Sequence, residues 1–193
     1  MGRSTSRWTV TAGSQPWHAV RVIDKAALRQ RMRMVRDVVE DHLMRSVQLW
    51  AKVAELPEFQ QADTVMAFVA FGTEIDTDPL FARLAVEGKQ LVLPRVEASG
   101  IVPASGDTPL VASKFGVLEP TGPPVDVAEI DLVIVPGLAF TLAGDRLGYG
   151  RAYYDMFLPT VKAPSVGVCF EDQLVDEMPV EAHDVRVDMV VTA

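Results

Sequence analysis

The chain contains 193 residues, a length typical of one domain, and its 49% hydrophobic and 23% charged residues are the composition of a packed globular protein. Eighteen Lys and Arg against 26 Asp and Glu give a net charge of −8, which argues against non-specific nucleic-acid binding, because such binding requires a basic surface. The single cysteine, Cys169, excludes an intramolecular disulfide and a cysteine-based zinc site and fits a reducing cytoplasm, and no run of about 18 apolar residues suggests a membrane span.

Residues 1–23 are predicted to form a weakly ordered extension ahead of a single α/β domain at 24–193. They mix Ser, Thr, Gly and Pro with two tryptophans, Trp8 and Trp17, and they lack the apolar core that a signal peptide needs. The tryptophans either belong to a mobile tail or dock onto the body or a partner.

A long helical segment is predicted after Asp24, which is a suitable N-cap residue, and Pro57 is expected to stop it. One kinked helix and two consecutive helices fit equally well. Its apolar residues recur at steps of three and four, which predicts one buried face comprising Val35, Val38, Val39, Leu43, Val47 and Trp50. Its early part is basic, and charge alone predicts a solvent-exposed face comprising Lys25, Arg29, Arg31, Arg33 and Arg36.

Beyond Pro57 the pattern changes to short apolar strands alternating with helices. The predicted strands are rich in β-branched residues and apolar on both faces, as a buried parallel sheet requires, and lie at 64–70, 90–96, 131–137 and 165–170. A helix opens with Asp78 and Pro79 and ends at Gly88. Residues 97–129 read as loops with one or two short strands. We therefore predict a three-layer α/β/α sandwich with a mostly parallel sheet.

The strongest chemical signal follows the third strand, between Asp131 and Leu158. Gly148 and Gly150 let backbone amides approach an anion, and the helix predicted from Arg151 to Leu158 adds a partially positive N-terminus. Arg146 and Arg151 flank the glycines and offer guanidinium groups to phosphate oxygens, and Asp155, one turn on, offers a carboxylate to Mg²⁺. An ordinary surface turn is the alternative, and neither a P-loop nor a dinucleotide-binding motif is present.

Five blocks in order give the sequence a family resemblance. They are KAALR at 25–29, EIDT at 74–77, FGVLEP at 115–120, RLGYGRAYYD at 146–155 and FEDQLVDEMPVEAHDVRVDMVVT at 170–192. Together they resemble the 5-formyltetrahydrofolate cyclo-ligase (5,10-methenyltetrahydrofolate synthetase) family over about residues 24–192.

The resemblance implies an ATP- and Mg²⁺-dependent conversion of 5-formyltetrahydrofolate to 5,10-methenyltetrahydrofolate with release of ADP and phosphate. Phosphoryl transfer to the formyl oxygen makes it a good leaving group, and folate N10 then attacks the formyl carbon. The implied fold is similar to ribose-5-phosphate isomerase and CoA transferases. The implied ligand is a small folate, with or without a polyglutamate tail. The implied protein is a cytoplasmic monomer or weak dimer that contacts neither nucleic acid nor membrane.

The resemblance also implies roles for individual residues. The ATP site would comprise Lys25, Arg29, Arg146, Leu147, Gly148, Tyr149, Gly150, Arg151, Ala152, Tyr153 and Tyr154. Within it, the catalytic groups acting on the transferred phosphoryl group would be Arg146, Arg151 and Tyr154. The folate site would comprise Glu74, Tyr149, Gly150 and Tyr153, and the Mg²⁺ ligands would be Asp155 and Asp184.

Three positions depart from the family pattern. Ala152 stands where the family usually has Gly, Met156 where it has Arg or Lys, and Thr141 where it commonly has Asp. If position 152 requires a positive φ, its alanine is strained. These departures leave open a catalytically weak paralogue that binds folate or nucleotide in a regulatory role, and a different ATP-using enzyme on the same scaffold.

Overall fold

The computed structural model describes residues 24–113 and 116–193. The five helices are α1 (Lys25–Asp37), α2 (His42–Ala54), α3 (Pro57–Gln61), α4 (Asp78–Glu87) and α5 (Tyr153–Phe157). The ten strands are β1 (Thr64–Met66), β2 (Gln90–Glu97), β3 (Gly100–Ser105), β4 (Leu110–Ala112), β5 (Leu118–Pro120), β6 (Leu132–Pro136), β7 (Ala139–Phe140), β8 (Arg146–Leu147), β9 (Ser165–Cys169) and β10 (Met189–Thr192). Three short 3-10 helices are Val127–Glu129, Leu158–Thr160 and Glu171–Gln173.

A six-stranded central sheet runs in the order β10-β9-β6-β1-β2-β3. Every neighbouring pair is parallel except β2 and β3, which form an antiparallel pair at one edge. Strands β1 and β9 are buried along their whole length, because helices cover both faces of the sheet. The predicted α/β architecture with a mostly parallel sheet is confirmed, and its likeness to ribose-5-phosphate isomerase and CoA transferases stays a prediction.

Two hydrophobic cores lie between the central sheet and the helices, one on each face of the sheet. On one face, residues of α2, α3 and α4 such as Trp50, Phe59 and Leu80 pack on the sheet. On the other face, Phe157 of α5 packs against sheet residues that include Val133. A third, smaller cluster joins α1 to the β7–β8 hairpin, and its buried members are Leu28, Met32, Leu138, Ala139 and Leu147. Helix α1 is therefore held against the hairpin that leads into the glycine-rich loop.

The helical segment is two helices, and its predicted buried face is only partly right. Trp50 is buried and Val35 and Val39 are partly buried, whereas Val38, Leu43 and Val47 are exposed, Val38 by 75%. The helical pattern breaks between α1 and α2, where Asp41 adopts a left-handed φ of 52°. This break rotates the second helix relative to the first, so one periodic stripe cannot stay buried through both. The fully buried residues are Leu28, Met32 and Arg36 in α1 and Ser46, Leu49, Trp50 and Val53 in α2.

Most predicted boundaries hold, and the strands predicted at 90–96, 131–137 and 165–170 lie within one residue of β2, β6 and β9. The Asp24 side chain accepts a hydrogen bond from the Ala26 amide at 3.1 Å, which confirms the cap, and Gly88 ends α4 at φ 69°. The strand predicted at 64–70 ends at Met66, and 97–129 contributes three strands (β3, β4, β5) besides the end of β2. Pro57 opens α3 and does not end the preceding helix, which stops at Ala54.

Some predictions fall where the structure gives no description. The N-terminal extension, with Trp8 and Trp17, lies outside the described residues, as does Phe115 of the third sequence block. Within the described ranges, the helices are too short and too polar for any of them to cross a bilayer.

Candidate active site

A cavity of about 470 Å³ opens beyond the carboxyl ends of β1, β2 and β6, where α/β sheets bind ligands. One part of its wall is apolar and comprises Phe68, Val69, Phe71, Pro94, Val96, Ile101, Val117 and Leu118. The remainder carries charged side chains from α1, from the loop after β8 and from the segment before β10. The cavity therefore suits a ligand with a flat apolar part and an anionic part.

Lys25, at the start of α1, is bound to the C-terminal segment. Its Nζ lies 2.6 and 2.8 Å from the two Asp184 oxygens and 2.9 Å from Glu181 Oε2. Burial opposes the charge on Lys25, but its bonds to Asp184 and Glu181 outweigh burial, and the pKa of Lys25 is raised. Burial likewise opposes ionisation of Asp184, yet Lys25 and the Glu181 amide hold the pKa of Asp184 below its ordinary value. Lys25 is thus cationic at the cavity wall.

The glycine loop between β8 and α5 is shaped by close backbone contacts. Arg29 Nε donates to the Gly148 carbonyl at 2.9 Å, and a Cβ built on Gly148 would lie 2.7 Å from Arg146 Nη1. Gly150 adopts φ +92°, which disfavours other residues, and a Cβ there would lie 3.3 Å from Arg29 Cζ. The left-handed φ therefore requires glycine at position 150, whereas a side chain at position 148 would have to displace the end of the Arg146 side chain.

The helix after this loop is shorter than predicted. It begins at Tyr153 and covers five residues, and Ala152 precedes it as N-cap at φ 54° and ψ 19°. Ala152 is therefore in the left-handed region, where a Cβ is unfavourable, and does not belong to the helix. The predicted start at Arg151 is wrong because this left-handed residue interrupts the helical geometry.

Arg146 and Asp155 form a largely buried ion pair at the floor of the loop. Arg146 Nη2 lies 2.9 Å from Asp155 Oδ1, which also accepts from the Val185 amide at 3.2 Å. Within the described ranges, Arg146 Nε and the Tyr154 hydroxyl are buried and have no hydrogen-bond partner. Burial also raises the pKa of Tyr154, so its hydroxyl is a neutral donor. Two unsatisfied donors thus lie beside the glycine loop, which is unusual for buried polar groups.

Glu74 lies at the other end of the cavity and is buried. Its Oε1 accepts from the Tyr149 hydroxyl at 2.6 Å, its Oε2 accepts from the Phe71 amide at 3.0 Å, and Arg36 Nη1 is 3.6 Å from Oε1. Burial raises the pKa of Glu74, and these hydrogen bonds and the arginine only partly offset that effect. A carboxylate here is a strong acceptor for ligand N–H groups.

All the residues proposed from the sequence for ATP, folate and Mg²⁺ line this one cavity. Asp155 and Asp184 lie near each other, since Val185, the neighbour of Asp184, donates to Asp155. Two of the three departures lie elsewhere: the Thr141 hydroxyl hydrogen-bonds with Asp145 inside a turn, and Met156 is 53% exposed. Neither is among the lining residues, so only Ala152 changes the cavity itself.

The sequence missed part of the site. Arg36, predicted on an exposed face, is buried beside Glu74 because it shares with Leu28 and Met32 a four-residue spacing that indicates one inward face. The apolar wall could not be predicted, since its members come from several separate segments. Next to Asp184, His183 and Glu181 also line the cavity, and the three side chains have ligand atoms within 4.8 Å of one another.

Comparison with known proteins supports one family. Residues 21–193 match the model of the 5-formyltetrahydrofolate cyclo-ligase family. The chain is 33% identical over 180 residues to a 5-formyltetrahydrofolate cyclo-ligase of Mycolicibacterium smegmatis, covering 87% of this chain and 91% of that one. The structure of 5,10-methenyltetrahydrofolate synthetase from Aquifex aeolicus is 34% identical and superposes with a TM-score of 0.77, covering 87% of this chain and 89% of that one. A Mycoplasma pneumoniae 5,10-methenyltetrahydrofolate synthetase, 20% identical, has the same fold, with a TM-score of 0.73 over 87% of this chain and 98% of that one.

Proposed function

Because the chain belongs to the 5-formyltetrahydrofolate cyclo-ligase family, a family of ligases, we propose that it converts 5-formyltetrahydrofolate to 5,10-methenyltetrahydrofolate with ATP and Mg²⁺, releasing ADP and phosphate. One observation carries the proposal. A single cavity joins an apolar wall that ends at the buried Glu74 carboxylate to a glycine loop lined by Lys25, Arg29 and Arg146. A folate ring and a triphosphate are ligands of these two kinds.

The glycine loop fits the phosphates of ATP. Gly148 and Gly150 line the cavity without side chains of their own, and the buried Arg146 keeps one unsatisfied N–H donor beside them. Phosphate oxygens supply the acceptors that such donors lack, and hydrogen bonds from a cation are stronger than those between neutral groups. Lys25 and Arg29 add positive charge from α1, whose position is set by its packing on the β7–β8 hairpin.

Mg²⁺ fits the carboxylates at the same end. Asp155 and Asp184 would hold it, since hard divalent cations prefer carboxylate oxygens, and a bound Mg²⁺ would neutralise charge on the phosphates. Each carboxylate is paired with a cation, Asp155 with Arg146 and Asp184 with Lys25. The pairing with Lys25 helps to keep Asp184 ionised, the form that binds a metal.

Glu74 and the apolar wall fit the folate. The pterin ring offers N–H donors along one edge, which a carboxylate at the end of an apolar slot can accept. Glu74 has two oxygens in this position, fixed by Tyr149 and the Phe71 amide. Tyr149 also belongs to the glycine loop, so one residue contacts both ends of the cavity.

The chain would contribute to the reaction by positioning the two ligands and by stabilising the negative charge of the transferred phosphoryl group. With the folate ring against Glu74, the formyl oxygen would point toward the glycine loop, where Arg146 and Arg151 stabilise charge on the transferred phosphoryl group. The Tyr154 hydroxyl is a neutral donor that can hydrogen-bond to that group without losing its proton. After transfer, N10 of the same folate attacks the formyl carbon and phosphate departs, so no protein nucleophile is needed.

The test is an absorbance assay for 5,10-methenyltetrahydrofolate formed from 5-formyltetrahydrofolate, with ATP and Mg²⁺ and with each omitted in turn. We expect product only when all three are present, with one ADP released per product. Product formed equally well without ATP would contradict the proposed phosphoryl transfer.

A further inference from the structure

Arg36 lies against the loop that carries Glu74 but does not line the cavity. It is 6% exposed, and its Nε donates to Thr73 Oγ1 at 3.1 Å while Nη1 lies 3.6 Å from Glu74 Oε1. Thr73 Oγ1 in turn donates to Asp37 Oδ1 at 2.7 Å. Helix α1 therefore holds the residue before Glu74 and places a fixed positive charge next to its carboxylate.

The charge of Arg36 is incompletely satisfied. Its Nη1 is buried and has no hydrogen-bond partner in the part of the chain that the structure describes. An unmatched buried donor is costly, and among the described residues Arg36 is the one cation within ion-pair distance of Glu74. The buried Arg36 charge therefore acts on the Glu74 carboxylate in addition to its hydrogen bond with Thr73.

We propose that Arg36 is a positioning residue for the folate end of the site, keeping Glu74 ionised and directed into the cavity as an acceptor for the folate ring. The inference rests on the proposed function. Arg36 acts against the effect of burial, which favours the neutral form of Glu74. Without Arg36, only hydrogen bonds from Tyr149 and Phe71 oppose burial, so more of the carboxyl is protonated near neutral pH and it accepts ring N–H groups less well.

Two of the titratable groups around Glu74 stay neutral near pH 7, because Tyr149 from the glycine loop and Tyr154 from α5 both have pKa values raised by burial. His42 of α2 approaches the Thr73 carbonyl at 3.1 Å and so contacts the loop backbone, not the Glu74 carboxyl. A pH-dependent change in folate binding on loss of Arg36 is therefore assigned to Glu74 by following the carboxyl signal of Glu74 itself.

Arg33 provides a matched control on the same helix. Its Cζ lies 5.8 Å from the centre of the Tyr149 ring, almost the same as the 5.7 Å for Arg36. Arg33 is exposed and, among the described residues, no ion pair links it to Glu74. A general loss of positive charge near Tyr149 would thus affect both variants, whereas loss of the Glu74 ion pair affects only one.

The experiment compares wild type with Arg36→Gln, Arg36→Lys and Arg33→Gln. Calorimetry measures the Kd of 5-formyltetrahydrofolate without ATP from pH 6 to 9, and carbon NMR follows the titration of the Glu74 carboxyl in the ligand-free protein. For Arg36→Gln we expect affinity at pH 7 to fall about 10- to 100-fold and to recover as pH rises. Its carboxyl midpoint should move up relative to wild type. Arg33→Gln should match wild type in both.

An equal loss of affinity at every pH, with an unchanged carboxyl midpoint, would overturn the inference and assign Arg36 a purely structural role. If circular dichroism shows that Arg36→Gln does not fold, Arg36→Lys decides, since its retained charge should keep the wild-type midpoint, and a raised midpoint would contradict the inference. A wild-type protein that binds no 5-formyltetrahydrofolate would refute the proposed function, while the carboxyl midpoints would still separate the two arginines.

Discussion

Ala152→Gly tests whether the glycine loop carries backbone strain. Ala152 has φ 54°, and an alanine in this region costs roughly 1–2 kcal/mol relative to its preferred conformations. Glycine removes that cost but gives the unfolded chain more freedom, which subtracts about 0.4–1 kcal/mol. We expect a net gain of roughly 0–1.6 kcal/mol, which for a chain of this size raises the melting temperature by up to roughly 6 °C. Turnover with ATP should be equal to or above that of wild type.

Gly150→Ala is the opposite change in the same loop. Its φ of +92° and the 3.3 Å approach to Arg29 should make alanine unfavourable, lowering stability by about 1–3 kcal/mol and weakening ATP binding. Differential scanning calorimetry and an ATP titration on both variants provide the test. A melting temperature clearly below wild type for Ala152→Gly, with that of Gly150→Ala unchanged, would refute backbone strain at Ala152, since the loop would then be adapted to alanine.

Three further predictions concern the charged end of the cavity. Asp155→Asn should lower ATP-dependent turnover at least about 100-fold, because the proposed metal ligand loses its charge; activity near wild type at saturating Mg²⁺ would exclude that role. Arg29→Glu should weaken ATP binding in calorimetric titrations at least about tenfold more than Arg33→Glu, because Arg29 lines the cavity and donates to the Gly148 carbonyl, whereas Arg33 does not line the cavity; equal effects would indicate a diffuse basic face. The ion pair of Lys25 and Asp184 should contribute its full stabilising free energy above about pH 4, the ordinary pKa of an aspartate in the unfolded chain. This contribution should be lost as pH falls through the lowered pKa of Asp184 in the folded protein. Wild type should therefore exceed Lys25→Met in stability equally from pH 5 to 8 and approach it in acid, as thermal melts at each pH will show.

The fold class could be predicted because its signals are local. Asp24 correctly predicted the start of α1 as its N-cap. Pro79 and Gly88 correctly predicted the start and the end of α4. The edge strand β3 and the short pair of β4 and β5 were harder, because their pairing partners, not their own composition, make them strands. The exposed Val38 likewise could not be predicted from its own spacing. That spacing suggested a buried helix face, but the break between α1 and α2 changes which side of the second helix faces the core.

The site could be predicted in part because its charged residues occupy short sequence blocks. Spacing alone suggested a phosphate loop from Arg146 to Asp155, whereas the assignment of Glu74 and Asp184 depended on the family resemblance. Arg36 was missed, since a run of basic residues on a helix usually faces solvent and only its contact with Glu74 distinguishes it from Arg33. The left-handed φ of Ala152 also depends on tertiary contacts that the sequence does not show.

The most direct test of the proposed cyclo-ligase activity is a single-turnover experiment with 5-formyltetrahydrofolate, ATP and Mg²⁺. It follows 5,10-methenyltetrahydrofolate by absorbance and ADP by chromatography in the same sample. We expect both products to appear together, in equal amounts, with wild type, and neither to appear when ATP is omitted. If calorimetry shows that both ligands bind but neither product forms, the chain is a binding paralogue of the family, and the catalytic assignment is wrong.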